Sequence, residues 1–278
     1  MSWPSRYAWS WFLLPLWLLS AFPYSADASD GLDVEAFDDT ALFVVGNTLF
    51  TVYHELGHAL IDMLNLPVIG REEDAVDGLA AVTMIPEAPD ELRDALVIAV
   101  ADGWRAQSEF GGNGRDRRTF WGEHALDEQR HFAIVCLMVG SDQEGFYDFA
   151  LEAGLPDERI ETCSHDFTSM KNGWKRLLDP HRPAAGAVGL PSEPPITLTF
   201  EKPLPEHQAV FDLIREDGLL EEAVLRFGED IVLPSPITIR FSVCDDANAY
   251  WSPRRREVTV CYALVAEFET ILLGMFTR

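Results

Sequence analysis

Between Ala41 and Ile61 the chain runs through a stretch whose ionisable side chains are Tyr53, His54, Glu55 and His58. This stretch constrains the fold more than any other segment. It reads as one long helix over residues 41–64, weakened in its first half by Gly46 and Asn47. The segments Phe50-Thr51-Val52-Tyr53 and Ala59-Leu60-Ile61 on either side of the histidines carry no charge, and the first charge beyond them is Asp62. A helix of this composition is buried, and an unpaired imidazole on it would be costly. His54 and His58 are four residues apart, so they share one face and can present two ring nitrogens to one point. A tetrahedral Zn²⁺ needs this from its first two ligands. Glu55 can reach a water at such an ion without ligating it. His-Glu-x-x-His on a helix is therefore the chemistry of a zinc hydrolase, most often a peptidase. The competing reading, a surface helix that happens to carry two histidines, is disfavoured by the uncharged flanks.

A catalytic zinc needs a third protein ligand. Asn65 to Gly70 is a turn punctuated by Pro67 and Gly70, and Glu72 to Met84 reads as a second helix. Glu73 and Asp77 lie four apart on one of its faces. Glu-x-x-x-Asp on a helix after His-Glu-x-x-His resembles the gluzincin, or thermolysin-like, metallopeptidases. That resemblance implies Glu73 as the third zinc ligand and Asp77 as the acceptor for a ring N–H of a ligating histidine, His54 first. Such a partner fixes the tautomer. Glu72 competes for the ligand role but has Val76 four residues on. The plain alternative for these acids is a solvated first turn favoured by the helix dipole.

With 46 Asp and Glu against 21 Lys and Arg, the net charge is −25. Nucleic acid and anionic membrane surfaces are thereby excluded as partners, since both need basic patches. Residues 1–28 have the pattern of a secretory signal: Arg6, an apolar Ala8 to Phe22, and Ala26-Asp27-Ala28 as a cleavage site. Cutting after Ala28 removes Arg6 and Asp27 together and leaves the charge unchanged. No stable membrane insertion is expected after cleavage, so the chain is exported to the periplasm or secreted. The cysteines, Cys136, Cys163, Cys244 and Cys261, are even in number and suit disulfides in such a compartment. Of the three pairings possible, sequence proximity favours Cys136–Cys163 and Cys244–Cys261.

Further helices are read over residues 90–110, 123–139, 143–153 and 156–178. Residues 179–195 are rich in Pro, Gly and Ala and form the linker candidate. Beyond it, 196–200, 237–243 and 257–262 alternate like strands, 206–227 is helical with a break at Gly218, and 263–276 closes as a helix. The organisation is a signal (1–28), a helical zinc-site region (29–178), a linker (179–195) and an α/β segment (196–278). The fold class is α+β, mostly helical, with zincin-like active-site helices and a small β-sheet drawn largely from the C-terminal segment.

Asn248-Ala249-Tyr250-Trp251 resembles the Asn-Ala-aromatic-aromatic edge strand of thermolysin-like peptidases, which implies Asn248 and Ala249 as substrate-binding residues. In that group the strand precedes the zinc helix; here it follows it. Together with His54 to Leu60, Leu66 to Ala75, Trp121 to Arg130, Cys136 to Asp142, Cys244 and Cys261-Tyr262, these segments resemble the DUF4344 family of exported metallopeptidases. The expected substrate is a peptide or protein, the cofactor one Zn²⁺ per chain, and the general base Glu55. His124, oriented by Glu123 or Asp127, is the first candidate for donating to the oxyanion. Tyr250 and Arg130 follow it. A non-peptidase zinc hydrolase would use the same ligands, whereas a scaffold keeping zinc for structure would have no need of Glu55.

Overall fold

The Asp38 carboxylate accepts a hydrogen bond from the Ala41 N–H at 2.7 Å and so caps the helix that the apolar stretch forms. This helix, α1 (Asp39–Leu64), ends at Asn65 in the left-handed region with φ 50°. The computed structural model describes residues 38–110, 121–183, 194–216 and 218–277. The expected signal, over residues 1–28, and much of the expected linker therefore lie outside the described residues.

Gly46 and Asn47 leave α1 unbroken, and the reason is tertiary. A Cβ on Gly46 would stand 2.8 Å from the Leu96 carbonyl oxygen, so the glycine lets the neighbouring helix α3 (Glu91–Phe110) approach closely. Asn47 is buried, and its Nδ2 donates to the carbonyls of Phe43 and Ala99, tying the two helices together. Each such bond contributes about 1 kcal/mol, and leaving the amide unpaired would cost more.

Around α1 lie α2 (Glu72–Met84), α3 and the C-terminal α9 (Tyr262–Phe276). An outer group, α4 (Asp127–Ser141), α5 (Gln143–Glu152) and α6 (Asp157–Leu178), packs through α4 on α3 and through α6 on α2. The Cys136–Cys163 disulfide joins α4 to α6. Towards the C-terminus come β1 (Ile196–Phe200), α7 (Gln208–Leu213), α8 (Leu219–Glu229), β2 (Ile237–Ser242), β3 (Ala249–Ser252) and β4 (Glu257–Cys261). Gly218 takes φ 66° between α7 and α8, where the sequence pattern placed a break.

The strands form one mixed sheet in the order β1-β2-β4-β3. β1, β2 and β4 run parallel, with Ile196 opposite Ile237 and Ile239 opposite Val258. β3 runs antiparallel to β4, with Trp251 opposite Val258, and forms an edge. Ile237, Ile239 and Phe241 alternate into the core at period two, while Val258 and Val260 do the same on β4. The Cys244–Cys261 disulfide closes the loop leaving β2 onto the end of β4. β3 and β4 pack against α1, so helix and sheet share one core, and residues Asp33–Arg278 form a single compact unit. This is the mostly helical α+β fold that the sequence pattern implied.

One boundary differs in a way that bears on the site. The helix expected from Glu123 begins at Asp127. Trp121 to Leu126 instead form turns and irregular backbone, and the Leu126 N–H is taken by the Gln129 side chain at 3.1 Å. His124 therefore sits ahead of α4 rather than on it.

Candidate metal centre

His54 and His58 project from one face of α1, with Nε2 atoms 3.3 Å apart. Glu73, in the first turn of α2, brings Oε2 to 3.2 Å from His54 Nε2 and 3.5 Å from His58 Nε2. Ligands held about 2.1 Å from a tetrahedral Zn²⁺ stand about 3.4 Å from one another. The three distances match that edge. The close approach of α1 and α2 depends on Gly57, where a Cβ would fall 2.7 Å from Val76 Cγ1.

The far nitrogen of each histidine is held by a carboxylate. His54 Nδ1 lies 2.7 Å from Asp77 Oδ1, and His58 Nδ1 lies 2.8 Å from Glu72 Oε1. These partners put the ring proton on Nδ1 and leave the Nε2 lone pair aimed inward. Glu73 Oε2 is buried and faces three imidazole nitrogens, yet accepts from none of them with hydrogen-bond geometry. An orphaned buried carboxylate oxygen amid inward-facing nitrogens is the arrangement a cation would complete, and two imidazoles with a carboxylate suit zinc.

Electrostatics follow the geometry. Burial alone would lower the His54 pKa, but Asp77 and Glu73 together raise it above its ordinary value. His58 is likewise penalised by burial and pushed up to about 9 by Glu73 and Glu72. Burial would raise the Glu73 carboxyl, but the facing imidazoles, His124 first, hold it well below the usual carboxylate range. Glu55, between the histidines in sequence, is raised above its ordinary value by burial, against the lowering influence of His54 and His58.

Asp77 has a second partner that the sequence did not reveal. Arg130 on α4 donates through Nε and Nη2 to its two oxygens, each at 2.6 Å, and stacks over Trp104 with Cζ 3.5 Å from the ring centroid. Arg130, read from the sequence as a runner-up oxyanion donor, is thus committed to Asp77. Glu72, read as a rival ligand, is instead the outer partner of His58. The only advance signal of either was the run of acids at 72–74.

His124 Nε2 lies 2.9 Å from Glu73 Oε2. Its ion-pair partner is Glu73, and Asp127, at the start of α4, lies near enough that, against the raising effect of burial, the His124 charge lowers its carboxyl. Tyr250 and Trp251 on β3 line the same cleft of about 770 Å³ as His54, Glu55 and Glu73, as do Asn248 and Ala249. Trp251 Nε1 donates to Asp62 Oδ2 at 3.3 Å, and Glu55 takes a backbone hydrogen bond from Trp251. The Tyr250 hydroxyl is 3.4 Å from Arg255 Nη2. His131, by contrast, is buried away from the cleft with Nδ1 2.7 Å from the Ala101 carbonyl.

The His-Glu-x-x-His helix and the carboxylate-bearing helix thus set a possible metal site in a cleft with a strand at its rim. The chain belongs to the DUF4344 family, described as "Putative metallopeptidase", whose profile matches residues 23–178 and 201–275. No curated protein and no solved structure matches the chain.

Proposed function

We propose that the chain is an exported zinc-dependent metallopeptidase, with His54, His58 and Glu73 as metal ligands and Glu55 as general base. The observation that carries this reading is the triangle of His54 Nε2, His58 Nε2 and Glu73 Oε2, with edges of 3.2, 3.3 and 3.5 Å. Zn²⁺ held there would supply Lewis acidity, both to an attacking water and to the scissile carbonyl. Glu55 takes the water's proton and passes it to the leaving amine. Its burial raises its basicity, which suits it to that task. Asp77 and Glu72 keep the two imidazoles in the ligating tautomer, and Arg130 holds Asp77 in place.

The edge of β3 gives an extended peptide a row of backbone partners beside Glu55, with Asn248 and Ala249 at its start. The candidates for donating to the oxyanion are His124 and Tyr250, which line the same cleft as Glu55. Export is supported by the signal-like residues 1–28 and by two disulfides, which persist in oxidising compartments. Among the described residues, no helix is long and apolar enough to cross a membrane.

The test is metal content beside turnover. The purified chain should hold about one zinc, and His58→Ala and Glu73→Ala should lose it. A peptide library should be cleaved by the native chain and spared by Glu55→Gln. Absence of bound metal after zinc reconstitution would overturn the reading.

A further inference from the structure

His124 differs from the other histidines of the centre in how it is held. It comes from the irregular segment ahead of α4, and its side chain is 55 % exposed, against 7 % for His54 and 17 % for His58. Among the described residues no hydrogen bond holds its Nδ1, whereas Asp77 and Glu72 hold the Nδ1 atoms of His54 and His58. Among the described residues, packing and hydrogen bonding therefore do little to keep this ring where it is.

Its position is nevertheless specific. The donor atoms of His54, Glu73 and His124 lie within 4.8 Å of one another in a group that does not include His58, so His124 meets the triangle from the side away from His58. The His124 ring is nearly parallel to that of His54, at 16° with centroids 6.2 Å apart. Its Nε2 is 2.9 Å from Glu73 Oε2, an oxygen that accepts no hydrogen bond from it. A nitrogen brought so near a carboxylate oxygen without hydrogen-bond geometry is disposed as a co-ligand, on the His54–Glu73 edge of the triangle.

We propose that His124 is a fourth, detachable metal ligand, which closes the centre in the resting protein and withdraws before substrate reaches the ion. This rests on the metallopeptidase reading and deepens it. Four protein ligands make a closed site of the structural kind, whereas hydrolysis needs an open position. Glu55 would be idle in a permanently closed site. A ligand that can leave reconciles the two, and among the described residues His124 is the ligand candidate with neither a helix nor a hydrogen bond at Nδ1 to fix it. Once withdrawn, the ring is free for the oxyanion-donor role proposed for it above.

The experiment compares the native chain with His124→Ala, His124→Gln and His58→Ala, each stripped of metal and shown to be folded by circular dichroism. Zn²⁺ affinity is read by competition with a chromogenic chelator, and the ligand field by the visible spectrum after Co²⁺ loading. A peptide hydroxamate then probes access to the metal. His124→Ala should bind Zn²⁺ at least about tenfold more weakly, with a changed Co²⁺ spectrum that added imidazole restores. It should also bind the hydroxamate about tenfold more tightly, because no ligand has to leave first. Unchanged Zn²⁺ affinity and an unchanged spectrum would overturn His124 as a ligand. Weakened Zn²⁺ affinity with unchanged hydroxamate binding would overturn the detachable role and leave a fixed ligand. His58→Ala binding Zn²⁺ as well as the native chain would instead sink the metal-site reading itself.

Discussion

Replacing Arg130 by Met tests whether Asp77 is a charge held in place for the centre. Arg130 and Asp77 are 9 % and 14 % exposed and share two bonds of 2.6 Å. Met keeps most of the apolar stem over Trp104 and removes the charge. Breaking a buried pair from one side costs about 3–5 kcal/mol, because the remaining charge is left without compensation. Asp77 keeps His54 as a partner at 2.7 Å, so the loss should fall near the lower end, about 3 kcal/mol. Urea unfolding of the metal-free protein at neutral pH, followed by circular dichroism, measures it. The Arg130→Met/Asp77→Asn double variant should recover most of that stability, since the stranded charge is gone. It should not recover metal affinity, which falls about 10- to 100-fold when the partner behind a ligating histidine is lost. An Arg130→Met loss under about 1 kcal/mol, the range of exposed ion pairs, would refute the argument. So would a double variant less stable than the single one.

Glu55→Gln should retain its zinc and lose about 10²- to 10⁴-fold in turnover, checked by metal analysis beside a peptide assay. In the metal-free protein His58 is pushed up to about 9, above an unfolded value of about 6.5. Its contribution to stability is therefore full below about pH 6.5 and is lost as pH rises through about 9. Zn²⁺ displaces that proton, so affinity should climb up to about pH 9 and then level. Calorimetry in buffers of different ionisation enthalpy should show proton release at pH 7.5, and a flat profile would count against His58 as a ligand. Gly57→Ala should cost about 1–3 kcal/mol in thermal unfolding. It should also weaken metal binding, because the new Cβ would press on Val76 Cγ1 and Cβ at 2.7 and 2.8 Å, one turn from Glu73. Removing the Cys244–Cys261 bridge, which spans 17 residues, should cost about 3 kcal/mol by urea unfolding.

Much of the architecture was legible in the order of residues, because local signals and tertiary packing agree in the helices. The apolar face of α1, the turn at Pro67 and Gly70, and the glycine at 218 each speak for themselves. Where packing overrides a local signal, the reading strayed. Gly46 and Asn47 look like weak points until Leu96 and Ala99 are set against them. The segment around His124 has helical composition, yet the chain holds it in turns. The strands at 237–242 and 257–261 carry visible alternation, but their parallel pairing and the edge position of β3 depend on contacts that no local pattern encodes. At the centre, spacing within a helix put His54 beside His58, and the structure sets Glu73 against both. The Arg130–Asp77 pair joins residues on different helices, and nothing in either neighbourhood announces the other.

Trp251 bonds to Asp62 across 189 residues of chain, and Tyr53 donates to the Ala223 carbonyl across 170. The helix bearing the histidines is thus made early, and the strand that walls the cleft is made last. At about 5–20 residues per second, the interval between Asp62 and Trp251 lasts roughly 10–40 s. For most of it the nascent chain carries the residues of α1 and α2 but lacks those of β3, β4 and α9, which pack on α1. On the proposed reading, the residues assigned to the metal are made well before the strand assigned to the peptide, so the order of manufacture separates the two halves of the cleft.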